Sequence, residues 1–400
     1  MSTLLDDTTR ATISACVPAL EAHGLAITTE MYSRLLANPA IRNLFNLSHQ
    51  TNGEQPRALA LAVLAYARHI DNPAALSGAV ERIAQKHVGL NILPEHYPFV
   101  ADALLGAIAH VLGSAATPQV LDAWGKAYWF LADILIKREE QLYAVDAAAT
   151  GGWAGWRSFT VQRRVVDCTN VTSFELAPTD GRPVMRHKAG QSLGFCLDIP
   201  GHGAARRNYS ISSAPGTDSY RISVRRIDGG MVSQWLHDSV REGTVLQASA
   251  PAGAFTLAPP DGAPVVFISA GVGLTPFMSM LGVLESGRTP IRYIHTTRSA
   301  ETEAFGTPIR DLAAAGRLAA DIFYTRQAPQ AVTPPGMTPH AGRITPQWLG
   351  SQVDHNATYY ICGPDGFMRD MVAALRAAGV AKTRIRYEFF GPADDAALVA

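Results

Sequence analysis

Gly151-Gly152-Trp153-Ala154-Gly155-Trp156 divides this 400-residue chain into stretches of different periodicity. Before it, from Thr8 to about Ala148, apolar residues recur at helical spacing, and Asn38-Pro39, Asn52-Gly53 and Asn72-Pro73 punctuate the run. After it, β-branched and alternating residues dominate, as in Ser158 to Val166 and Tyr220 to Arg226. A third pattern begins beyond Pro259-Pro260-Asp261-Gly262. There the apolar run Val265 to Ser269 leads directly into a glycine-rich turn and a helix. Ile291 to His295, Ala320 to Tyr324 and Tyr359 to Cys362 then alternate with helical stretches, the pattern of a parallel sheet. The chain is longer than one hydrophobic core usually supports, so three domains are expected, over 1–148, 149–260 and 261–400.

With 47% hydrophobic and 17% charged residues and a formal net charge of zero, the composition is that of a globular protein. No basic excess offers a footprint for nucleic acid, and no apolar run free of charges and breakers is long enough to span a bilayer. Met1 to Arg10 carries two aspartates and no apolar core of a secretory signal, so export is not expected. Cys16, Cys168, Cys196 and Cys362 lie far apart without a Cys-x-x-Cys pair, which argues against a disulfide framework or a zinc site and for a reducing cytoplasm.

Val80, Ile83, Ala84 and His87 fall on one face of a predicted helix, aiming the histidine inward. Such a histidine is, on spacing alone, more readily a satisfied core residue than a metal ligand. Its neighbourhood is more specific. Glu30-Met31-Tyr32-Ser33-Arg34, Leu44-Phe45-Asn46-Leu47-Ser48, Asn52-Gly53-Glu54-Gln55 and Ala84-Gln85-Lys86-His87 together resemble the globin domain of flavohaemoglobins. The resemblance implies haem b with His87 as iron ligand, Lys86 beside it and Phe45 against the porphyrin. It places Tyr32, Gln55 and Leu59 in the distal pocket. It also maps a proximal tyrosine and glutamate onto Tyr97 and Glu139, although Glu140 is an equal candidate from sequence. Pro56 suits only the first turn of a helix, so a helix is expected to begin there.

Arg207-Asn208-Tyr209-Ser210 resembles the Arg-x-Tyr-Ser signature of ferredoxin reductase-like FAD domains. The guanidinium can fork onto a flavin pyrophosphate, the tyrosine ring can lie against the cofactor, and the serine can reach a ring nitrogen. Gly229-Gly230-Met231-Val232-Ser233 puts glycines before a helix whose free N–H groups suit the same anion, with Gly230, Val232 and Ser233 as contacts. In Ala189-Gly190-Gln191-Ser192 the family's usual tyrosine after the glutamine is Ser192, so somewhat weaker FAD binding is expected.

Gly271-Val272-Gly273-Leu274-Thr275-Pro276 follows a strand and opens a helix, with Thr275 as expected cap and Pro276 in the first turn. It lacks the last glycine of the dinucleotide fingerprint, and no acidic residue closes the next strand. It is similar instead to the reductase family, whose second loop is matched by Cys362-Gly363-Pro364. Glu388-Phe389-Phe390-Gly391-Pro392 resembles the flavohaemoglobin tail, in which the second aromatic, here Phe390, covers the flavin. Arg298 could meet the extra phosphate of NADPH, or simply be solvated.

The implied architecture is an all-α globin, an antiparallel β-barrel FAD domain and an α/β parallel-sheet NAD(P) domain. The implied activity is nitric oxide dioxygenation, NAD(P)H with two NO and two O2 giving two nitrate, electrons passing from NAD(P)H to FAD to haem. A flavin is needed between a two-electron donor and a one-electron acceptor. Nitric oxide and dioxygen are then the substrates. No partner protein or nucleic acid is required, a monomer is expected, and a lipid is an allowed guest of the distal pocket. The rival readings are an oxygen carrier or sensor, and a reductase of alkyl hydroperoxides or lipids.

Overall fold

The computed structural model describes residues 5–44, 54–258, 262–284, 289–327 and 333–391. The N-terminal third is helical: α1 (Asp7–Ala15), α2 (Val17–Ala37), α3 (Pro39–Arg42), α4 (Glu54–Arg68), α5 (Ser77–Gly89), α6 (Tyr97–Leu112) and α7 (Pro118–Ala148). The capping residues follow local chemistry. Asp6 accepts from the Thr9 amide at 2.7 Å ahead of α1, and Thr117 accepts from Val120 at 3.3 Å ahead of α7, where Pro118 lacks the N–H that would be unused anyway. Asn38 ends α2 because Pro39 disfavours helical backbone in the residue before it. Ile27, Met31 and Leu35 of α2 pack with Leu104, Ala107 and Ile108 of α6 and Trp124 and Ala127 of α7. Pro94–Ala115 is, by length and composition, apolar enough to cross a membrane, although it carries Glu95, Pro98 and Asp102. In this structure it contributes Ala103, Leu104, Ala107 and Ile108 to the helical core.

Beyond the Gly-rich seam come β1 (Arg157–Cys168), β2 (Val171–Pro178), β3 (Ser192–Ile199), β4 (Gly203–Ser210), β5 (Tyr220–Arg225), α8 (Met231–Ser239) and β6 (Val245–Ala248). The sheet order is β4-β3-β6-β1-β2-β5. β1 pairs antiparallel with β2, bringing Val161 opposite Leu176, and β2 pairs antiparallel with β5, bringing Phe174 opposite Ile222. All four of these side chains are buried. An isolated Ile211–Ile222 bridge joins β5 to the residue following β4, so the expected barrel is an incompletely closed antiparallel sheet.

The last third comprises β7 (Val265–Ala270), α9 (Thr275–Leu284), β8 (Ile291–Ser299), α10 (Gly306–Ala314), β9 (Ala319–Gln327), β10 (Met337–Ala341), α11 (Pro346–Ser351), β11 (Thr358–Cys362), α12 (Asp365–Ala377) and β12 (Ile385–Glu388). Its six strands are parallel in the order β10-β9-β8-β7-β11-β12. β7 is buried along its whole length, as its unbroken apolar run requires. β10 was not expected because Pro339 interrupts its pattern, and an edge position is where a sheet tolerates proline. The chain groups into two compact units, one holding Met1–Trp156 with Gly194–Asn208, the other Arg157–Leu193 with Tyr209–Gly391.

Within the second unit, α9 packs closely on the loop after β4. A Cβ on Gly282 would lie 2.5 Å from that of Ala214. His187 is buried beside it, its Nε2 3.0 Å from the Ser279 hydroxyl and 3.2 Å from the Ser213 carbonyl. Burial pulls the imidazole down from its usual 6.5 to about 4. The native state therefore keeps His187 neutral where the unfolded chain has protonated it. Stability should be full above pH 6.5 and fall between 6.5 and about 4, by about 3 kcal/mol from this residue alone. Urea titrations across that range should show a shallower acid slope in His187→Gln than in the parent. Identical slopes would mean that His187 is already charged in the folded protein.

Candidate functional site

His87 lies in the last turn of α5, and Ala84, one turn earlier, is fully buried. The His87 Nδ1 is 2.7 Å from Glu139 Oε1 of α7, and the Tyr97 hydroxyl reaches the same oxygen at 2.6 Å. Tyr97 starts α6 and is anchored by its own carbonyl, which accepts from Tyr128 at 2.7 Å. Glu139 is 2% exposed, whereas Glu140, turned about 100° further round the helix, is exposed. Burial first, then the hydrogen bond and charge of Glu139, push the Tyr97 ionisation far up, so Tyr97 remains a donor. With its proton committed to Glu139, Nδ1 also donates there, which leaves Nε2 as the basic nitrogen of the ring.

Among the described residues no hydrogen bond engages Nε2, and the His87 side chain is 31% exposed. The apolar residues Leu59, Val63, Val80, Ile83 and Ile92 are packed against the core yet only half-buried. A partly exposed imidazole with one basic nitrogen, in a helical region that leaves these apolar residues half-buried, fits a haem. Glu139 Oε2 is buried without a hydrogen-bond partner among the described residues.

On α2, Tyr32 is 7% exposed and hydrogen-bonded to Gln55. Burial raises its ionisation, so it too remains an O–H donor. Helix α4 is already formed at Glu54, so the helix does not begin at Pro56 as expected. Pro56 falls within the first turn, where a missing N–H is harmless, and its carbonyl takes the Thr28 hydroxyl at 2.8 Å. Lys86 is half-buried. Phe45 and Pro392 lie outside the described residues.

For the flavin, Arg207, Tyr209 and Ser210 are half-buried and Asn208 is exposed, all on β4. Arg207 also donates to the Arg206 carbonyl at 2.7 Å. Gly230 precedes α8 and provides no side-chain cap, which leaves the helix-start amides available to an anion. Val232 and Ser233 are buried. The Ser233 hydroxyl is used locally, accepting from the Ile227 amide at 3.1 Å and donating to the Gly230 carbonyl at 3.0 Å. Gln191 is likewise committed, to the Lys188 amide at 2.8 Å and the Pro251 carbonyl at 3.2 Å. Ser192 lies 3.4 Å from the Ala252 carbonyl, so it fills little of the room a tyrosine would take.

The nucleotide loops meet where strand order reverses. β8, β9 and β10 lie on one side of β7, and β11 and β12 on the other. Ligands of α/β folds bind at such a point, outside the carboxyl ends of the strands. Gly271–Leu274 follows β7 as a single tight turn containing Val272, and Cys362-Gly363 follows β11. A Cβ on Gly273 would stand 2.2 Å from the Cys362 carbonyl oxygen, so the two loops touch through backbone. Thr275 does not stand before the helix as a cap; it is the first helical residue, and its hydroxyl donates back to the Val272 carbonyl at 3.0 Å. Pro276 is in the first turn. Glu388 pairs in register with Cys362. Cys362 is fully buried, and burial together with Glu388 raises its thiol well above the usual range, which suits packing rather than nucleophilic chemistry. Phe389 is buried against Tyr387, whereas Phe390 is 46% exposed and Gly391 half-buried. Arg298 is exposed beside the end of β8. Sequence reading did not single out Arg206, although the doubled arginine was legible.

Comparison with known proteins follows the same division. The globin family profile matches residues 29–135, and that of the oxidoreductase FAD-binding domain matches 158–257. The chain is 45% identical over 389 residues to the flavohemoprotein of Xylella fastidiosa (strain 9a5c), covering 96% of each. It is 46% identical over 395 residues to that of Pseudomonas putida, covering 98% of this chain and 99% of the other. Among solved structures, the flavohemoglobin from Malassezia yamatoensis with bound FAD and heme aligns with a TM-score of 0.85 at 27% identity, over 97% of this chain and 100% of that one. The flavohem-like FAD/NAD-binding domain of nitric oxide dioxygenase from Vibrio cholerae aligns with a TM-score of 0.53 at 34% identity, over 59% of this chain and 99% of that one. With a helical domain offering an imidazole backed by a carboxylate, a flavin-type sheet and a two-loop nucleotide site, all in the order of these relatives, the chain belongs to the flavohaemoglobin family of NAD(P)H-dependent oxidoreductases that carry haem and FAD.

Proposed function

We propose that the chain is a nitric oxide dioxygenase that detoxifies nitric oxide in the cytoplasm, acting as a monomer. NAD(P)H, two NO and two O2 give two nitrate, NAD(P)+ and a proton. When bound, the haem supplies an iron that binds dioxygen, and the FAD converts a two-electron donor into one-electron deliveries.

The observation that supports this reading best is the 2.7 Å contact between His87 Nδ1 and a buried carboxylate. A hydrogen bond to a buried anion makes the imidazole a stronger electron donor than a bond to a carbonyl would. Such a ligand favours oxygen activation over reversible carriage. Tyr97 steadies Glu139 Oε1, and Tyr128 steadies Tyr97. Tyr32, buried and hydrogen-bonded to Gln55, keeps its proton and would be an O–H donor to a small anionic ligand held at the haem. The fused reductase argues against a simple carrier or sensor.

The test is NADH- or NADPH-driven consumption of nitric oxide in air, with nitrate measured. One NAD(P)H oxidised per two NO, cyanide-sensitive, is the expected result. Nitric oxide left unconsumed while alkyl hydroperoxide is reduced would transfer the assignment to the peroxide reading.

A further inference from the structure

Arg206 immediately precedes the flavin-signature Arg207 on β4, yet none of the roles above uses it. Its Nη1 donates to the Leu90 carbonyl and, at 3.3 Å, to that of Asn91. The guanidinium lies 5.3 Å from the centre of the Trp156 ring and is also hydrogen-bonded to Cys196. The partners Leu90 and Asn91 form the turn that ends α5. The amides of Leu90 and Ile92 both donate to the carbonyl of His87 itself, at 3.0 and 2.9 Å. Asn91 stands at φ +53°, left-handed backbone that a non-glycine residue adopts only at a cost. Tyr143 grips the same turn, donating to the Ile92 carbonyl at 2.8 Å, from one turn beyond Glu139 on α7. These residues all belong to the first compact unit.

The final carbonyls of a helix have no intrahelical donor and carry partial negative charge, and a guanidinium held with one Nη against both satisfies both needs. Partly withdrawn from water and stacked on an indole, Arg206 makes stronger hydrogen bonds than an exposed arginine would.

We propose that Arg206 is a positioning residue, locking the turn after α5 so that the His87 ring keeps its setting toward Glu139, and that it ties this setting to the β4 segment whose next residue contacts the flavin. The inference rests on the reading of His87 as the iron ligand and of Arg207 as a flavin contact. In this proposal Arg206 acts through the turn and not by contact with either cofactor. Its removal frees the Leu90 and Asn91 carbonyls and leaves the left-handed turn with its own backbone hydrogen bonds and the Tyr143 hydroxyl, so the end of α5 loosens.

The experiment compares R206A and R206K holoenzymes with the parent. Expected in R206A are a shifted iron–histidine stretching band in the resonance Raman spectrum of the ferrous protein, and faster amide hydrogen exchange over residues 88–92. Haem reduction by NADH should slow about tenfold, while flavin reduction stays within about twofold and haem and FAD contents match the parent. R206K, which keeps the charge without the planar guanidinium over Trp156, should recover part of each effect, and it remains informative if R206A does not accumulate. An unchanged stretching band and unchanged exchange in both variants would overturn the proposal, as would equal slowing of flavin and haem reduction. Failure of the underlying reading looks different: His87→Ala would then retain its haem whatever Arg206 does.

Discussion

His87→Ala is expected to purify with at least about tenfold less haem than the parent, while its flavin content and its flavin reduction by NADH remain near normal. Among the described residues His87 keeps one ring nitrogen free of hydrogen bonds on a side chain that is partly exposed, and the apolar Leu59, Val63, Ile83 and Ile92 of the same helical region are only half-buried. Loss of the ring would remove the proposed iron ligand and would leave Glu139 buried, with only the Tyr97 hydroxyl facing it. An unpaired buried carboxylate is itself destabilising, so part of the haem loss should reflect a looser helical domain. Absorbance at the Soret and flavin bands of the same preparation separates the two cofactors. A normal Soret band in His87→Ala would remove this residue from the ligand position.

The second large effect is expected from Gly273→Ala. The added methyl would lie 2.2 Å from the carbonyl oxygen and 2.5 Å from the carbonyl carbon of Cys362, both backbone atoms that no rotamer change can move. The loops after β7 and β11 must separate, at a cost of about 1–3 kcal/mol, and the proposed nucleotide site depends on that approach. Flavin reduction should then require at least about tenfold more NADH, with the haem spectrum unaltered. Gly271→Ala is the contrasting case. Gly271 has φ +55°, but the nearest atom to an added Cβ is Arg225 Nη1 at 3.5 Å, so only the backbone penalty of about 1 kcal/mol applies. Stopped-flow titration of both variants against NADH checks the ordering. Equal, near-parental half-saturation in the two would show that the nucleotide does not depend on close contact of these loops.

Much of the molecule is already written in local pattern. Helical spacing up to Ala148, the glycine run at 151–155 and the wholly apolar Val265 to Ser269 specify three kinds of domain in order, because periodicity and backbone freedom are properties of neighbouring residues. The glycines at 271 and 273 are legible in the same way. Proline at 339 hid β10 because edge tolerance depends on what lies beside a strand, which no local window contains. Glu139 and Glu140 are equivalent as letters. Only the packing of α5, α6 and α7 buries the first against His87 and Tyr97 and leaves the second in water. Arg206 was likewise one of two adjacent arginines until the fold set it on the carbonyls of Leu90 and Asn91, more than a hundred residues away. Sequence by itself determined the order of helical, antiparallel and parallel segments and the motifs that resemble cofactor sites, and it singled out His87 as the candidate ligand. The tertiary structure alone decided which charges face it, since the energy of a charge depends on burial and on partners that only folding brings within about 3 Å.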